Sequence, residues 1–160
     1  MSNKSSGRKN NQEGTPTIVN RKARHNYNIL DTIEAGVVLR GNEIKSIRDG
    51  SINIRESYAK VINGEVWLVG CHISPYKNQN TFDTYNPLRN RKLLFSRHEI
   101  NKLVQAVQEK GLTLVPLKIY FRRGRAKLEI GIGRGKNTYD KRQDLKGKDA
   151  KREMERALKN

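Results

Sequence analysis

Between residues 17 and 135 short apolar runs alternate with turn residues; beyond residue 135 apolar positions nearly disappear. Residues 17–19 read as a short strand. Asn20 stands in an N-cap position before one helical turn over residues 21–25. Residues 27–39 read as a strand, with Tyr27, Ile29, Ile33, Val37, Val38 and Leu39 apolar and Gly36 marking a bulge or close approach. Residues 41–50 predict a short helix. Ile44 and Ile47 share its inner face, and Gly50 stops it. Two β-rich runs, 52–62 and 65–73, flank Asn63-Gly64, the strongest short hairpin signal. Val66, Trp67, Leu68 and Val69 are apolar on both faces, which predicts a central strand. A polar loop carrying Tyr76, Phe82 and Tyr85 follows, over residues 74–92.

Ser96 and Glu99 then form a Ser-x-x-Glu capping box, and Ile100, Leu103, Val104 and Val107 follow at helical spacing until Lys110 and Gly111. That helix should cover one open face or end of the sheet. A second hairpin joins residues 112–121 to 126–132 around Arg122-Arg123-Gly124-Arg125. Pro116 removes a ladder donor and so implies an edge or bulge position. The stretch Gly131-Ile132-Gly133-Arg134-Gly135 reads as a joint where the packed part ends. Past it, only Ala150, Met154, Ala157 and Leu158 share a helical face, supported by Asp144/Lys148 and Lys151/Glu155 at i, i+4 spacing. So thin a stripe predicts a tail over 136–160 that is disordered alone and helical when bound. Residues 1–16 read as a disordered basic leader, and nothing in the sequence separates a functional basic tail from a mere solubility leader. The packed domain spans 17–135.

Charge changes the picture most. Lys and Arg number 33 against 16 Asp and Glu, a formal +17, which suits a polyanion. Nucleic acid leads and an anionic membrane surface is second, but no apolar run approaches the ~20 residues of a spanning helix. Cys71 is the only cysteine, so an intrachain disulfide and a thiolate metal cluster are excluded. No paired histidines, serine triad or acid cluster for metal emerges, and no cofactor loop. The expectation is a non-enzyme with no cofactor. Cations concentrate at Arg21, Lys22, Arg24 and His25 and on the 122–125 turn, both candidate phosphate contacts, and Arg91 and Lys92 lie in the basic exit of the long loop. Glu34, an acid in an acid-poor stretch, supports two readings from residues alone. It pairs with a neighbouring cation, or it accepts hydrogen bonds from base amino groups.

Several short motifs occur in a specific order: Asn20-Arg-Lys-Ala-Arg-His25-Asn-Tyr27, Glu34-Ala-Gly36, Gly41-x-Glu43-Ile-Lys45-Ser46, Tyr58, Arg91-Lys-Leu-Leu94 and Lys136-x-x-x-Asp140-Lys141-Arg142. In order and spacing this set resembles the family of SsrA-binding proteins, SmpB. The resemblance implies a mainly β fold, an antiparallel oligonucleotide-binding (OB-like) barrel with about three helices and a basic C-terminal tail. It implies a cytoplasmic, monomeric ribosome-rescue factor for trans-translation. Its partners would be tmRNA, the decoding centre of the small ribosomal subunit, and elongation factor Tu through charged tmRNA. By the same resemblance Asn20, Glu34 and Leu94 match tmRNA-binding positions; Arg21, Lys22, Arg24, His25, Lys45, Arg91 and Lys92 lie in matching segments. Lys136, Tyr139, Asp140, Lys141 and Arg142 would engage the ribosome, with Tyr139 stacking on ribosomal RNA. A generic RNA-binding OB module and a constitutive ribosomal protein are the alternatives.

Overall fold

The computed structural model describes residues 15–77 and 84–159, without the side chains of residues 138–140. The leader, apart from Thr15 and Pro16, and part of the aromatic loop, including Phe82, therefore lie outside the described residues. In chain order the elements are β1 (Ile18–Val19), α1 (Ala23–Asn26), β2 (Tyr27–Val37), α2 (Gly41–Arg48), β3 (Ile52–Asn53), β4 (Tyr58–Ile62) and β5 (Glu65–Val69). They continue with β6 (His72–Ile73), β7 (Arg91–Leu94), α3 (Arg97–Gln108), β8 (Thr113–Arg122), β9 (Arg125–Gly135) and α4 (Thr138–Leu158).

The principal sheet runs β1-β8-β4-β5-β7-β2-β9, and β8 also pairs with β9. That last pairing closes β8, β4, β5, β7, β2 and β9 into a ring, leaving β1 as a flap on β8. Its pairings are antiparallel. The expected mainly β, antiparallel fold is what the chain adopts. Closure leaves fewer edges to template foreign strands. Inward residues alternate along each strand as the sequence pattern requires: Val66 and Leu68, Leu114 and Ile119, Leu128 and Ile130 are all buried. Both hairpin turns pass through left-handed backbone, at Asn63 (φ 50°) with Gly64 (φ 74°) and at Arg123 (φ 51°) with Gly124 (φ 75°). Two positive φ values in a row give the twist that matches the flanking strands.

α3 starts at its capping box. The Ser96 hydroxyl accepts from the Glu99 N–H at 3.3 Å, and the Glu99 carboxylate accepts from the Ser96 N–H at 2.8 Å. Leu103 is fully buried in the core beneath it.

Several expectations change. The two arms of the first hairpin are each broken, so that β3 and β6 pair as a separate two-stranded sheet. Gly70 marks the break with φ +75°, and a Cβ there would meet the Glu56 carbonyl at 3.2 Å. The bulge in β2 falls at Leu30, between the pairs Ile29–Gly133 and Asp31–Ile132, and not at Gly36. The expected bulge near Pro116 is present, with Leu117 as the extra residue. Residues 131–135 are no linker but the end of β9. A Cβ on Gly133 would sit 2.5 Å from the Asn28 carbonyl oxygen, and one on Gly131 about 3.0 Å from Ile29. These glycines let β9 cross β2 at its bulge.

Candidate nucleic-acid interface

Register assembles the outer face of the ring. Gly36 lies opposite Leu94 on one side and Lys127 on the other, and Lys127 lies opposite Tyr120. One strand-step along, Glu34 faces Glu129, which faces Lys118. Inward alternation of Ala35, Leu128 and Ile119 turns this whole set outward. Leu94 is 53% exposed, and its side chain lies across Gly36, where a Cβ would touch it at 3.4 Å.

Beside it, Glu34 is oriented from two directions. The Tyr120 hydroxyl donates to its Oε2, and the Arg122 guanidinium donates to Oε1 at 3.2 Å. Burial, and then the bond to Glu34, push the Tyr120 phenol up to about 12, so it remains a donor at any physiological pH. The Tyr120 ring carries Lys118 Nζ at 5.4 Å and the Arg122 guanidinium at 5.8 Å. Arg122, Arg123, Arg125 and Lys127 line an open hollow around Glu34. The result is a fixed acceptor inside a cationic rim, next to an exposed leucine. Chemically it suits a ligand that combines phosphates with hydrogen-bond donors on bases or sugars. Of the two sequence readings of Glu34, the structure shows the pairing with a cation; part of the side chain also stays exposed.

A second basic cluster surrounds α1. Ala23 packs with Val115 and Leu117, which leaves Arg21, Lys22 and Arg24 exposed and His25 half-buried. Asn20 does not cap this helix. It is 3% exposed, and its Nδ2 donates to Pro116 O at 2.9 Å and Ile54 O at 3.3 Å, while its N–H donates to Leu117 O at 2.7 Å. It staples the entry of α1 to the β8 bulge and so positions the turn. Seven residues of β2, roughly 23 Å, separate Tyr27 from Glu34. The two clusters are thus distinct ends of one scaffold.

Arg91 is also corrected. It is completely buried. Its Nε and Nη2 reach the Glu43 carboxylate at 2.7 Å, Nη1 donates to Cys71 O at 2.6 Å, and Nη2 donates to Pro87 O at 3.0 Å. Glu43 is buried with it and also accepts from Arg89 and from the Arg40 N–H at 2.9 Å. Burial pushes the Glu43 carboxyl up, but the Arg40 N–H and the two guanidiniums outweigh it and hold the group below its ordinary range. Arg91 therefore belongs to the scaffold under α2. Lys92, its neighbour, faces outward and pairs with Glu65 at 2.8 Å. Lys45 is exposed, 5.4 Å from the Tyr76 ring centre.

The tail begins against α1. The Lys136 N–H donates to Asn26 O at 2.8 Å, and its ammonium donates to Arg24 O at 3.1 Å and to the Asp144 carboxylate. Lys136 is therefore a clamp at the root of α4. Lys141 is half-buried and Arg142 exposed; the side chains of Tyr139 and Asp140 are outside the described residues. Leu145, Met154 and Leu158 are exposed along α4.

Sequence reasoning assigned the arginine turn as a possible phosphate contact but missed Tyr120. Alternation with buried Ile119 and Phe121 was the available signal. Among the described residues no group of acids, histidines and cysteines could hold a metal. No helix among them is long and apolar enough to cross a membrane.

Comparison with known proteins is specific. A family model described as SmpB protein matches residues 17–160. An SsrA-binding protein of Acetivibrio thermocellus is 57% identical over 140 residues, covering 88% of this chain and 90% of that one. An SsrA-binding protein of Desulfitobacterium hafniense is 59% identical over 137 residues, covering 86% and 87%. Among solved structures, a chain from "tmRNA-SmpB: a journey to the center of the bacterial ribosome" superposes with a TM-score of 0.64 at 46% identity, covering 78% of this chain and 87% of that one.

Proposed function

Because the chain belongs to the SmpB protein family, we propose that it binds the tRNA-like domain of tmRNA and brings it to stalled ribosomes for trans-translation. The observation that carries the structural half of this reading is the outer face on which Glu34 is held by Tyr120 and Arg122 beside exposed Leu94. There Glu34 accepts from base amino groups, Leu94 packs on the RNA, and Arg122, Arg125 and Lys127 meet phosphates. Arg21, Lys22, Arg24 and His25 form a second contact on the α1 side. Lys45 and Lys92 add charge at the margins. Folded RNA is recognised by shape, phosphates and local stacking rather than by a groove code.

The division of labour is a folded part over residues 17–135 and a probe over 136–160. α4 spans 21 residues, about 32 Å at 1.5 Å per residue. Its apolar stripe is exposed, so its helix is marginal without a partner, and its ordering belongs to the ribosome-bound state. On the ribosome Tyr139 stacks in the decoding site, Asp140, Lys141 and Arg142 follow it, and the helix lies in the vacant messenger path. Downstream messenger would occupy the same space, so an empty channel is selected sterically. The protein acts as a cytoplasmic, monomeric binding factor without catalysis, and elongation factor Tu joins through the charged tmRNA.

Truncation after Lys136 tests the division. The truncated chain should retain tmRNA affinity and lose peptide tagging. The difference in far-UV circular dichroism between full and truncated free chains should be small compared with 21 helical residues. Collapse of RNA binding on truncation would overturn the two-part reading.

A further inference from the structure

The outer face of β4, β5 and β7 carries an aromatic patch that the Glu34 site does not use. Ala59, Val66, Leu68, Arg91 and Leu93 are buried, so Lys60, Trp67 and Lys92 point the other way. Register sets Lys60 opposite Trp67, and Trp67 opposite Lys92. Trp67 thus stands between two lysines at cross-strand spacing, ~5 Å on either side. It is half-buried, while Tyr58, diagonal to it on β4, is 45% exposed. Lys92 shares its charge with Glu65, but Lys60 makes no ion pair among the described residues. Two residues beyond Lys92 on the same face comes Leu94, so the patch is continuous with the row Leu94–Gly36–Lys127–Tyr120.

We propose that Trp67, with Tyr58 and Lys60, is a stacking platform for unpaired nucleotides of the same RNA whose folded part lies on the Glu34–Leu94 face. Every base presents a π-face to an aromatic ring, and a lysine one strand away neutralises the adjoining phosphate. A protein partner would favour a patch whose centre is depleted of charge; here the nearest cross-strand neighbours of the indole are both lysines. The proposal rests on the RNA-binding reading above and adds the unpaired class of nucleotide to it.

Trp67 is the only tryptophan in the chain, so its emission reports this patch alone. The full chain is titrated with hexauridylate and hexaadenylate, and separately with the tRNA-like domain of tmRNA, whose affinity is read independently by filter retention. Saturable quenching of Trp67 by the hexanucleotides and by the tRNA-like RNA is expected. Trp67→Leu should weaken binding of the tRNA-like RNA about tenfold, with Trp67→Phe retaining most of it. Lys60→Ala, at an exposed site, should lower the slope of log K against log salt by about 0.7 to 0.9. Unchanged emission with all three RNAs overturns the platform, as does full affinity in a folded Trp67→Leu chain. If the tRNA-like RNA is not retained at all, the tmRNA reading fails, while quenching by hexanucleotides still decides the platform. An emission change with elongation factor Tu alone, and none with RNA, would assign the patch to a protein and overturn the proposal.

Discussion

Two carboxylates in this chain are each held by arginine and tyrosine chemistry, and they do opposite jobs. Glu43 is sealed beneath α2 with Arg91 and Arg89, and Tyr85 completes the cluster through Arg91. Glu34 is held at the surface by Tyr120 and Arg122. In the first, the donors of Arg91 are spent inside the protein, and two buried charges survive only because they satisfy each other. In the second, two donors fix the carboxylate while a third of its surface stays open to a ligand. Similar residues become scaffold or site according to how much of the acceptor remains unclaimed.

The largest effect should come from breaking the buried member. Arg91→Ala removes the fully buried partner of Glu43, leaving only Arg89 and the Arg40 N–H on the carboxylate, and should cost about 3–5 kcal/mol, read by urea denaturation. Replacing both partners by apolar residues, Glu43→Leu with Arg91→Met, should recover much of that. Preserved stability in Arg91→Ala would mean that the pair is wet and the contrast with Glu34 false.

Acid provides the second test. The Glu43 carboxyl lies below its ordinary range in the folded chain. Its stabilisation is therefore complete above the unfolded value, about 4.3, and is lost as pH falls through the lower folded value. Below about pH 4.3 the natural chain should lose urea stability more steeply than the Glu43→Leu, Arg91→Met double variant. Parallel pH profiles would remove Glu43 from the acid transition.

A smaller effect is expected at the surface, and on a different observable. Tyr120→Phe removes one donor from Glu34 and should lower affinity for the tRNA-like RNA roughly fivefold, about 1 kcal/mol, with little change in the urea midpoint. A change in stability without one in affinity would make Tyr120 scaffold as well. The smallest effect belongs to Lys22–Glu56, at 3.7 Å and well exposed on both sides. Glu56→Ala should shift stability by less than about 0.5 kcal/mol. A larger loss would show that exposure alone does not separate the two classes of pair.

Much of the scaffold was legible because its signals are local. Asn63-Gly64 and Arg123-Gly124 turn where adjacent left-handed residues are needed. Ser96 and Glu99 start α3 through bonds that span three residues. The ordered motifs carried the family, which the match over residues 17–160 bears out. Of the candidate site, Glu34, Leu94 and the α1 cations were named from sequence, and the structure leaves them wholly or partly exposed.

What sequence could not decide were contacts between residues far apart in the chain. Asn20 and Arg91 read as ligands because a polar residue in a motif looks the same whether it faces RNA or a carbonyl. Only packing reveals that Asn20 staples a bulge 96 residues away and that Arg91 neutralises Glu43 across 48. Tyr120 meets Glu34 across 86 residues, through a register set by β2, β9 and β8 together. Turn chemistry, capping and alternation are properties of neighbouring residues, and the sequence by itself determined them. Ring closure, burial of charge and orientation of the Glu34 acceptor depend on which strands meet, and only the tertiary structure decided those.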